Sequence, residues 1–153
     1  MAMAVILLTF IKSYKTFFYM INLIIFGPPG AGKGTHSEKL VSKYNLKHIS
    51  TGDILRNEIS SKSELGCEAK GYMGKGELVP DELVLAMISK EMDKYRDANG
   101  FIFDGFPRTL VQAQKFDEML RTRNMPVSLV VSLDVSDDEL ISRLIKRGIE
   151  SGR

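Results

Sequence analysis

Four short apolar runs occur along the chain, and each ends in a turn or a polar signal. None shows the strict alternation of apolar and polar residues that a half-exposed antiparallel sheet requires. Near-continuous apolar runs separated by helical stretches are typical of parallel strands that are buried on both faces. The pattern predicts strands at residues 23–26, 47–50, 101–104 and 129–135.

Amphipathic stretches lie between these runs. In residues 81–95 the apolar side chains recur every three to four positions, which is the period of a helix with one buried face. Three further stretches predict helices over residues 35–44, 110–123 and 140–147. The alternation of strands and helices predicts an α/β three-layer sandwich, with a parallel sheet and helices on both of its faces. The interval between the second and third predicted strands, about fifty residues, is too long for a simple crossover. We therefore expect residues 54–79 to form a small helical insertion.

Residues 1–19 stand apart from this pattern. Their apolar run is about half as long as a membrane helix, and Lys12 and Lys15 follow it, whereas a signal peptide has its positive charge first. The segment contains no arginine, which a mitochondrial transit peptide would be rich in. We expect Met20 to be the natural start and residues 1–19 to be an extension outside the fold. A membrane or targeting role for these residues is the alternative.

The amino-acid composition, the charge balance and the cysteine count exclude several classes of function. The 153 residues are 44% hydrophobic and 26% charged, as in one soluble globular domain. The 21 basic and 19 acidic residues nearly balance, which argues against a nucleic-acid-binding surface. Cys67 is the one cysteine of the sequence, so an internal disulfide and a cysteine-based zinc site are excluded, and a reducing, cytoplasmic location is expected.

A glycine-rich segment, GPPGAGKGT at residues 27–35, follows the first strand and precedes a helix. Glycines allow successive backbone N–H groups to turn toward a phosphate, and the helix N-terminus adds a positive dipole. Lys33 supplies a mobile positive charge. This context predicts a phosphate-binding loop. Gly34 stands where GTPases place a magnesium-binding hydroxyl, and Thr35 comes one residue later, which favours a nucleotide-kinase form of the loop.

Arginines recur near the ends of the predicted elements. Phosphoryl transfer needs charge neutralisation and in-line positioning more than it needs an acid or a base. A planar guanidinium binds phosphate oxygens in pairs. The candidate arginines are Arg56, Arg108, Arg143, Arg147 and Arg153. His36 and His48 have no carboxylate or serine constellation around them in the sequence and are expected to be surface or packing residues.

Five segments resemble, in order, the motifs of the adenylate kinase family. The loop at 27–35 is similar to the family's G-x-P-G-x-G-K-G-T motif, STGDILR at 50–56 to its S-T-G-D segment, and DGFPRTLVQ at 104–112 to its D-G-F-P-R-T-x-x-Q signature. Residues 76–81 resemble the end of the nucleoside-monophosphate lid, and residues 143–153 resemble the start of the short phosphate-covering lid. The resemblance runs from Met20 to Arg153.

This resemblance implies a P-loop nucleotide-kinase fold and reversible, Mg²⁺-dependent transfer of a phosphoryl group from ATP to AMP, without structural zinc. The implied catalytic residues are Lys33, Arg108, Arg143 and Arg147. The implied ATP-binding residues are Gly30, Ala31, Gly32, Lys33, Gly34, Thr35 and Arg147. The implied AMP-binding residues are Thr51, Arg56, Glu77, Leu78, Val79, Gly105, Phe106, Pro107, Arg108, Gln112 and Arg153. Asp104 would orient Mg²⁺ through water, and Thr35 would contact the ion or a phosphate.

The resemblance also implies a domain plan. Residues 20–153 would form the kinase domain, residues 50–79 its monophosphate-binding insertion, and residues 146–153 the start of the lid. The family's remaining strand and helix would follow Arg153, so we expect a partial chain with low stability and low turnover. A monomer that binds neither nucleic acid nor a membrane is expected.

The acceptor is expected to be AMP. Kinases of UMP and CMP with a similar pattern usually have alanine where Thr51 stands, and asparagine where Thr109 and Gln112 stand. A glutamine amide both donates and accepts hydrogen bonds, which suits the edge of an adenine. Two alternatives stay open at this point: a kinase of pyrimidine monophosphates, and a P-loop module that binds ATP without transferring phosphate.

Overall fold

The computed structural model describes residues 20–151, apart from the side chains of residues 147, 150 and 151. Four parallel strands form one sheet in the order β2-β3-β1-β4. The strands are β1 (Ile21–Phe26), β2 (Lys47–Ser50), β3 (Gly100–Asp104) and β4 (Leu129–Ser132). The helices are α1 (Lys33–Tyr44), α2 (Thr51–Ser60), α3 (Glu64–Gly74), α4 (Asp81–Asp93), α5 (Leu110–Thr122) and α6 (Asp137–Ser151). The predicted α/β class with a parallel sheet is confirmed.

Both faces of the central strands are buried, because β1 and β3 lie inside the sheet. Ile24 and Phe103 pack into the larger core cluster, and Ile25 and Ile102 pack into a smaller one on the other face. Phe116 of α5 fits edge-on against Phe103, with 4.8 Å between ring centroids. Helices therefore cover both faces of the sheet, as the near-continuous apolar runs predict.

The carboxyl ends of the four strands meet at one edge of the sheet. Ser50 pairs with Asp104, and Ile25 pairs with the same residue from the other side. The segments that follow these strand ends therefore lie side by side, although they are far apart in the sequence. This edge carries the loop that begins at Gly27.

The predicted insertion contains two helices, α2 and α3, each begun by a serine cap. The Ser50 and Ser63 hydroxyls accept hydrogen bonds from the N–H groups of Asp53 and Gly66. The insertion packs against α4 through Glu58, whose carboxylate accepts a hydrogen bond from Lys90 at 2.9 Å. It is thereby tied to the helix that follows it.

Three sequence-based expectations need correction. β4 is not buried on both faces, because it is an edge strand in which Leu129 is 57% and Val130 is 53% exposed. It ends at Ser132, three residues before the predicted end, where its partner Phe26 also ends β1. Helix α6 continues past Gly148 to Ser151, since a single glycine costs a helix only about 1 kcal/mol. Among residues 20–151, no helix is long and apolar enough to cross a membrane.

Candidate active site

The glycine-rich loop joins β1 to α1 as predicted, but α1 begins at Lys33, two residues earlier than expected. Gly30 and Gly32 have φ angles of +86° and +87°, which glycine adopts without a Cβ penalty. The Lys33 ammonium donates hydrogen bonds to the carbonyl oxygens of Gly27 at 2.8 Å and Pro28 at 3.2 Å. Its charge is therefore held beside the loop at the positive end of α1.

Two cavities adjoin at the carboxyl edge of the sheet. The phosphate-loop cavity measures about 510 Å³ and is lined by Lys33, Gly27 and Asp104 among others. The second cavity, called here the acceptor cavity, measures about 400 Å³ and lies between α2, α4 and the start of α5. Both are lined by Gly52, Gly105 and Arg108. The two cavities therefore adjoin at these three residues.

Most of the predicted AMP-binding residues line the acceptor cavity: Thr51, Leu78, Val79, Gly105, Phe106, Arg108 and Gln112. Pro107 lines the phosphate-loop cavity instead. Arg56 and Glu77 line neither cavity. The structure pairs Arg56 with Asp53 at 2.5 Å, on the exposed face of the first turns of α2. The Arg56 guanidinium, followed by the Ser50 hydroxyl, lowers the pKa of Asp53 below its ordinary 3.8.

Arg108 occupies the junction of the two cavities. Its Nε donates a hydrogen bond to the carbonyl oxygen of Gly105 at 2.7 Å, which fixes the position of the exposed side chain. Its backbone N–H donates to Gln112 Oε1 at 2.7 Å. Arg108 is thereby held in place where it lines both cavities.

Asp104 ends β3 and faces the phosphate-loop cavity with a side chain that is 18% exposed. His48 Nε2 lies 3.7 Å from Asp104 Oδ2, beyond hydrogen-bond distance, and has no hydrogen-bond partner among the described residues. The sequence reasoning missed this neighbour. The period of two along β2 could have indicated it, since His48 and Ser50 share a face of the strand that pairs with β3.

The predicted ATP-binding residues from Gly30 to Thr35 form the loop and the first turn of α1. Gly30 lies close to α6: a Cβ at Gly30 would be 3.4 Å from the Cγ of Leu144, which is ordinary van der Waals contact. Arg143 contacts the carbonyl oxygen of Gly30 at 3.4 Å and also pairs with Glu139. Thr35 is exposed on α1. The side chain of Arg147, and all of Arg153, lie outside the described residues.

Asp81 is a second residue that the sequence reasoning missed. It is the first residue of α4, lines the acceptor cavity and accepts a hydrogen bond from Gln112 Nε2 at 2.7 Å. Thirty-one positions separate the two residues, so no local pattern indicates their contact. Its position directly after Pro80, at a predicted helix start, was the one signal available.

The glycine-rich loop lies at the carboxyl edge of a parallel sheet, and its cavity meets a second cavity at an arginine. This arrangement defines a P-loop nucleotide-kinase fold. Comparison with known proteins agrees with this class. The sequence model of the family described as "Adenylate kinase" matches residues 25–151.

Curated relatives agree as well. An adenylate kinase of Bacteroides fragilis is 53% identical over 134 residues, which are 88% of this chain and 71% of that protein. Adenylate kinases of Phocaeicola vulgatus and Flavobacterium psychrophilum are 52% and 50% identical over 134 residues, which cover 71% and 70% of their lengths. The chain belongs to the adenylate kinase family.

Proposed function

We propose that this protein transfers a phosphoryl group reversibly from ATP to AMP, producing two molecules of ADP. The observation that carries the proposal is the junction of the two cavities at Arg108. A direct transfer needs a donor and an acceptor phosphate in line, with positive charge between them. One cavity has the charge and backbone geometry for a triphosphate, and the other has the size and lining for a nucleoside monophosphate.

On the donor side, the loop from Gly30 to Thr35 would bind the ATP phosphates. Its N–H groups lie at the N-terminus of α1, where a helix favours negative charge. Lys33 would exchange its hydrogen bonds to the loop carbonyls for phosphate oxygens. Arg143 lies against the same loop, and with Arg147 one turn further along α6 it would contact ATP from the other side.

On the acceptor side, the apolar wall of the cavity suits a nucleobase. Ile54, Val84, Met87 and Ile88 line one part of the acceptor cavity, while Thr51 and Gln112 supply polar groups. The amide of Gln112 would read the adenine edge, and Arg108 would bind the acceptor phosphate and the charge that develops during transfer. Glu77 to Val79, at the end of the insertion, would contribute to the same site, and Arg56 would reach the phosphate by leaving Asp53.

Magnesium fits the residues at this edge. Mg²⁺ usually keeps several waters and binds one or two carboxylates together with substrate phosphates. Asp104 offers a single carboxylate beside the phosphate-loop cavity, and it would orient the ion through water. Bound Mg²⁺ neutralises phosphate charge during transfer. Among the described residues there is no group of three or more His, Cys, Asp or Glu side chains that could hold a metal ion by themselves.

The domain plan supports the same reaction. Residues 50–79 would form the monophosphate-binding insertion, because α2 supplies one wall of the acceptor cavity. Residues 146–153 would begin the lid over ATP. We also propose a monomer located in the cytoplasm, which gel filtration and cell fractionation would test.

Competition among acceptors tests the proposal. The chain is incubated with ATP and Mg²⁺ and with AMP, UMP or CMP, and each diphosphate product is separated by ion-exchange chromatography. We expect AMP to be phosphorylated faster than UMP and CMP, and chelation of the metal to stop the reaction. Faster phosphorylation of UMP or CMP would make the protein a pyrimidine kinase. ADP formation at the same rate with no monophosphate present would make it an ATP hydrolase.

A further inference from the structure

The side-chain amide of Gln112 is held from both ends. Its Oε1 accepts a hydrogen bond from the backbone N–H of Arg108 at 2.7 Å, and its Nε2 donates one to Asp81 Oδ1 at 2.7 Å. A backbone N–H can only donate, and a carboxylate can only accept. Turning the amide over would place donor against donor and acceptor against acceptor. The two neighbours therefore fix which end of the amide is oxygen and which is nitrogen.

Asp81 and Gln112 both line the acceptor cavity, and each stands at the beginning of its helix. Thr109 caps α5 by accepting a hydrogen bond from the N–H of Gln112, so the backbone of Gln112 is fixed as well. Lys115 and Glu82 form a neighbouring ion pair between the same two helices. The amide is thus held between α4 and α5 beside the acceptor cavity that Gln112 lines.

The donor and the acceptor that the Gln112 amide still offers to a ligand are in fixed positions. One N–H of Nε2 and one lone pair of Oε1 stay free. A 6-aminopurine offers an N–H donor at position 6 and an acceptor at position 1, whereas a 6-oxopurine offers an acceptor at position 6 and a donor at position 1. When arginines hold the phosphate, the base enters in one sense. An amide that cannot turn over can then form both hydrogen bonds with a 6-aminopurine. With a 6-oxopurine it would place donor against donor and acceptor against acceptor, so the site disfavours that base.

We propose that Asp81 is a positioning residue that makes the acceptor site select 6-aminopurine over 6-oxopurine monophosphates by fixing the Gln112 amide. This inference rests on the assignment of the acceptor cavity to a purine monophosphate. Asp81 itself need not touch the nucleotide. Its carboxylate acts through the orientation of the amide, and its removal would leave the Arg108 N–H as the one remaining group that opposes a turned amide.

The test measures dissociation constants of AMP and inosine monophosphate by calorimetry, which does not depend on turnover. An exchange of Asp81→Asn gives Gln112 a neighbour that both donates and accepts. We expect the preference for AMP over inosine monophosphate to fall about tenfold, the scale of one hydrogen bond to a charged group. Asp81→Glu, which keeps an acceptor-only side chain, should retain most of the preference. ATP affinity should not change in either variant.

Glu82→Gln is the matched control, because Glu82 is the next residue of α4 and pairs with Lys115 of α5 without touching Gln112. It should leave the preference unchanged. In a Gln112→Met background, Asp81→Asn should cause no further change, since the amide through which it acts is gone. If Asp81→Asn loses the native circular dichroism spectrum, Asp81→Ser replaces it with the same expectation.

The outcomes separate this inference from the proposed function. If the unchanged chain binds AMP more tightly than inosine monophosphate, and Asp81→Asn or its replacement keeps that preference, the inference is wrong and the acceptor site stands. An equal loss in Glu82→Gln would show that helix packing sets the preference, which also overturns the inference. If the unchanged chain binds neither monophosphate, the assignment of the acceptor cavity fails, and the inference fails with it.

Discussion

Among single residues, Lys33 is the one on which we expect phosphate binding to depend most directly. It is partly exposed, and its ammonium is held 2.8 Å from the Gly27 carbonyl oxygen beside the phosphate-loop cavity. Replacing it by methionine removes the charge and keeps much of the side-chain length. We expect Lys33→Met to lower the rate of ADP formation roughly 10²-fold or more, as when one preorganised charge contact is lost. The melting temperature, followed by circular dichroism, should change little.

Lys39→Met is the control for this variant, since Lys39 is exposed on the same helix. It should retain the parent rate. Near-parent turnover in Lys33→Met would contradict the assignment of the phosphate loop, whatever the result for Lys39.

Arg108 is expected to act mainly during transfer, because it lines both cavities and no other arginine of the described residues does so. Charge moves between the two phosphates in the transition state, and a positioned guanidinium there can contribute about 10³- to 10⁵-fold in rate. Arg108→Ala should therefore lower kcat far more than it raises the KM for AMP. Arg121→Ala, at an exposed arginine that pairs with Asp117, should have no effect on either constant.

A rise in the KM for AMP with an unchanged kcat would contradict this role. Arg108 would then be a group that binds substrate and transition state equally well.

At the scale of elements, α2 and α4 are joined through Glu58, a nearly buried carboxylate. The Ser63 hydroxyl, and after it the Lys90 ammonium, lower its pKa below the ordinary 4.5, against the opposite effect of burial. A lowered pKa in the folded state means that the carboxylate stabilises the fold above about pH 4.5, and that this contribution is lost as the pH falls below it. The two helices that flank the acceptor cavity should therefore separate more easily in acid.

We expect Glu58→Gln to reduce the free energy of unfolding by about 1–2 kcal/mol at pH 7, and by less at about pH 3.5, where the parent has lost part of this contribution. Urea unfolding monitored by circular dichroism measures both values. Glu68→Gln, at an exposed position of α3, should cost little at either pH. An equal loss for Glu58→Gln at both pH values would mean that charge plays no part.

The packing of α2 on α3 depends on a glycine. A Cβ built at Gly66 would lie 2.0 Å from the carbonyl oxygen of Glu58, whereas a Cβ at Gly71 of the same helix would meet nothing within 4 Å. Gly66→Ala should therefore lower the free energy of unfolding by about 1–3 kcal/mol. Gly71→Ala should raise it by up to about 1 kcal/mol through helix propensity. Thermal unfolding of the two variants compares them, and similar stabilities would refute the close approach at Gly66.

Element positions follow from the sequence where the local pattern is strong. The strand at Lys47–Ser50 has the predicted bounds, because Asn45, which ends α1 in a left-handed conformation, precedes it and the Ser50 cap follows it. The end of β4 depends on where its partner Phe26 stops, which the apolar run up to Val135 cannot indicate. Val111 of α5 is apolar and yet 54% exposed, since α5 turns its other side to the sheet through Phe116 and Leu120.

At the scale of the whole molecule, the parallel sheet brings three distant segments to one edge. The glycine-rich loop, the segment after Ser50 and the segment after Asp104 meet there because strand pairing aligns their carboxyl ends. The motifs themselves were visible in the sequence, and seven of the residues that they predict for the AMP site line the acceptor cavity. The contacts of Gln112 with Asp81 and of His48 near Asp104 were not, because they depend on how α4, α5 and the strands pack.

The central claim is that one phosphoryl group passes directly from the donor in one cavity to the acceptor in the other. The most direct measurement is the amount of ADP formed for each AMP consumed when the chain is mixed with ATP, AMP and Mg²⁺. Direct transfer predicts two ADP per AMP, and ADP formation roughly 10²-fold slower or more from an equal preparation of Lys33→Met. ADP that accumulates while AMP stays constant would show that the phosphoryl group goes to water, and it would contradict the account.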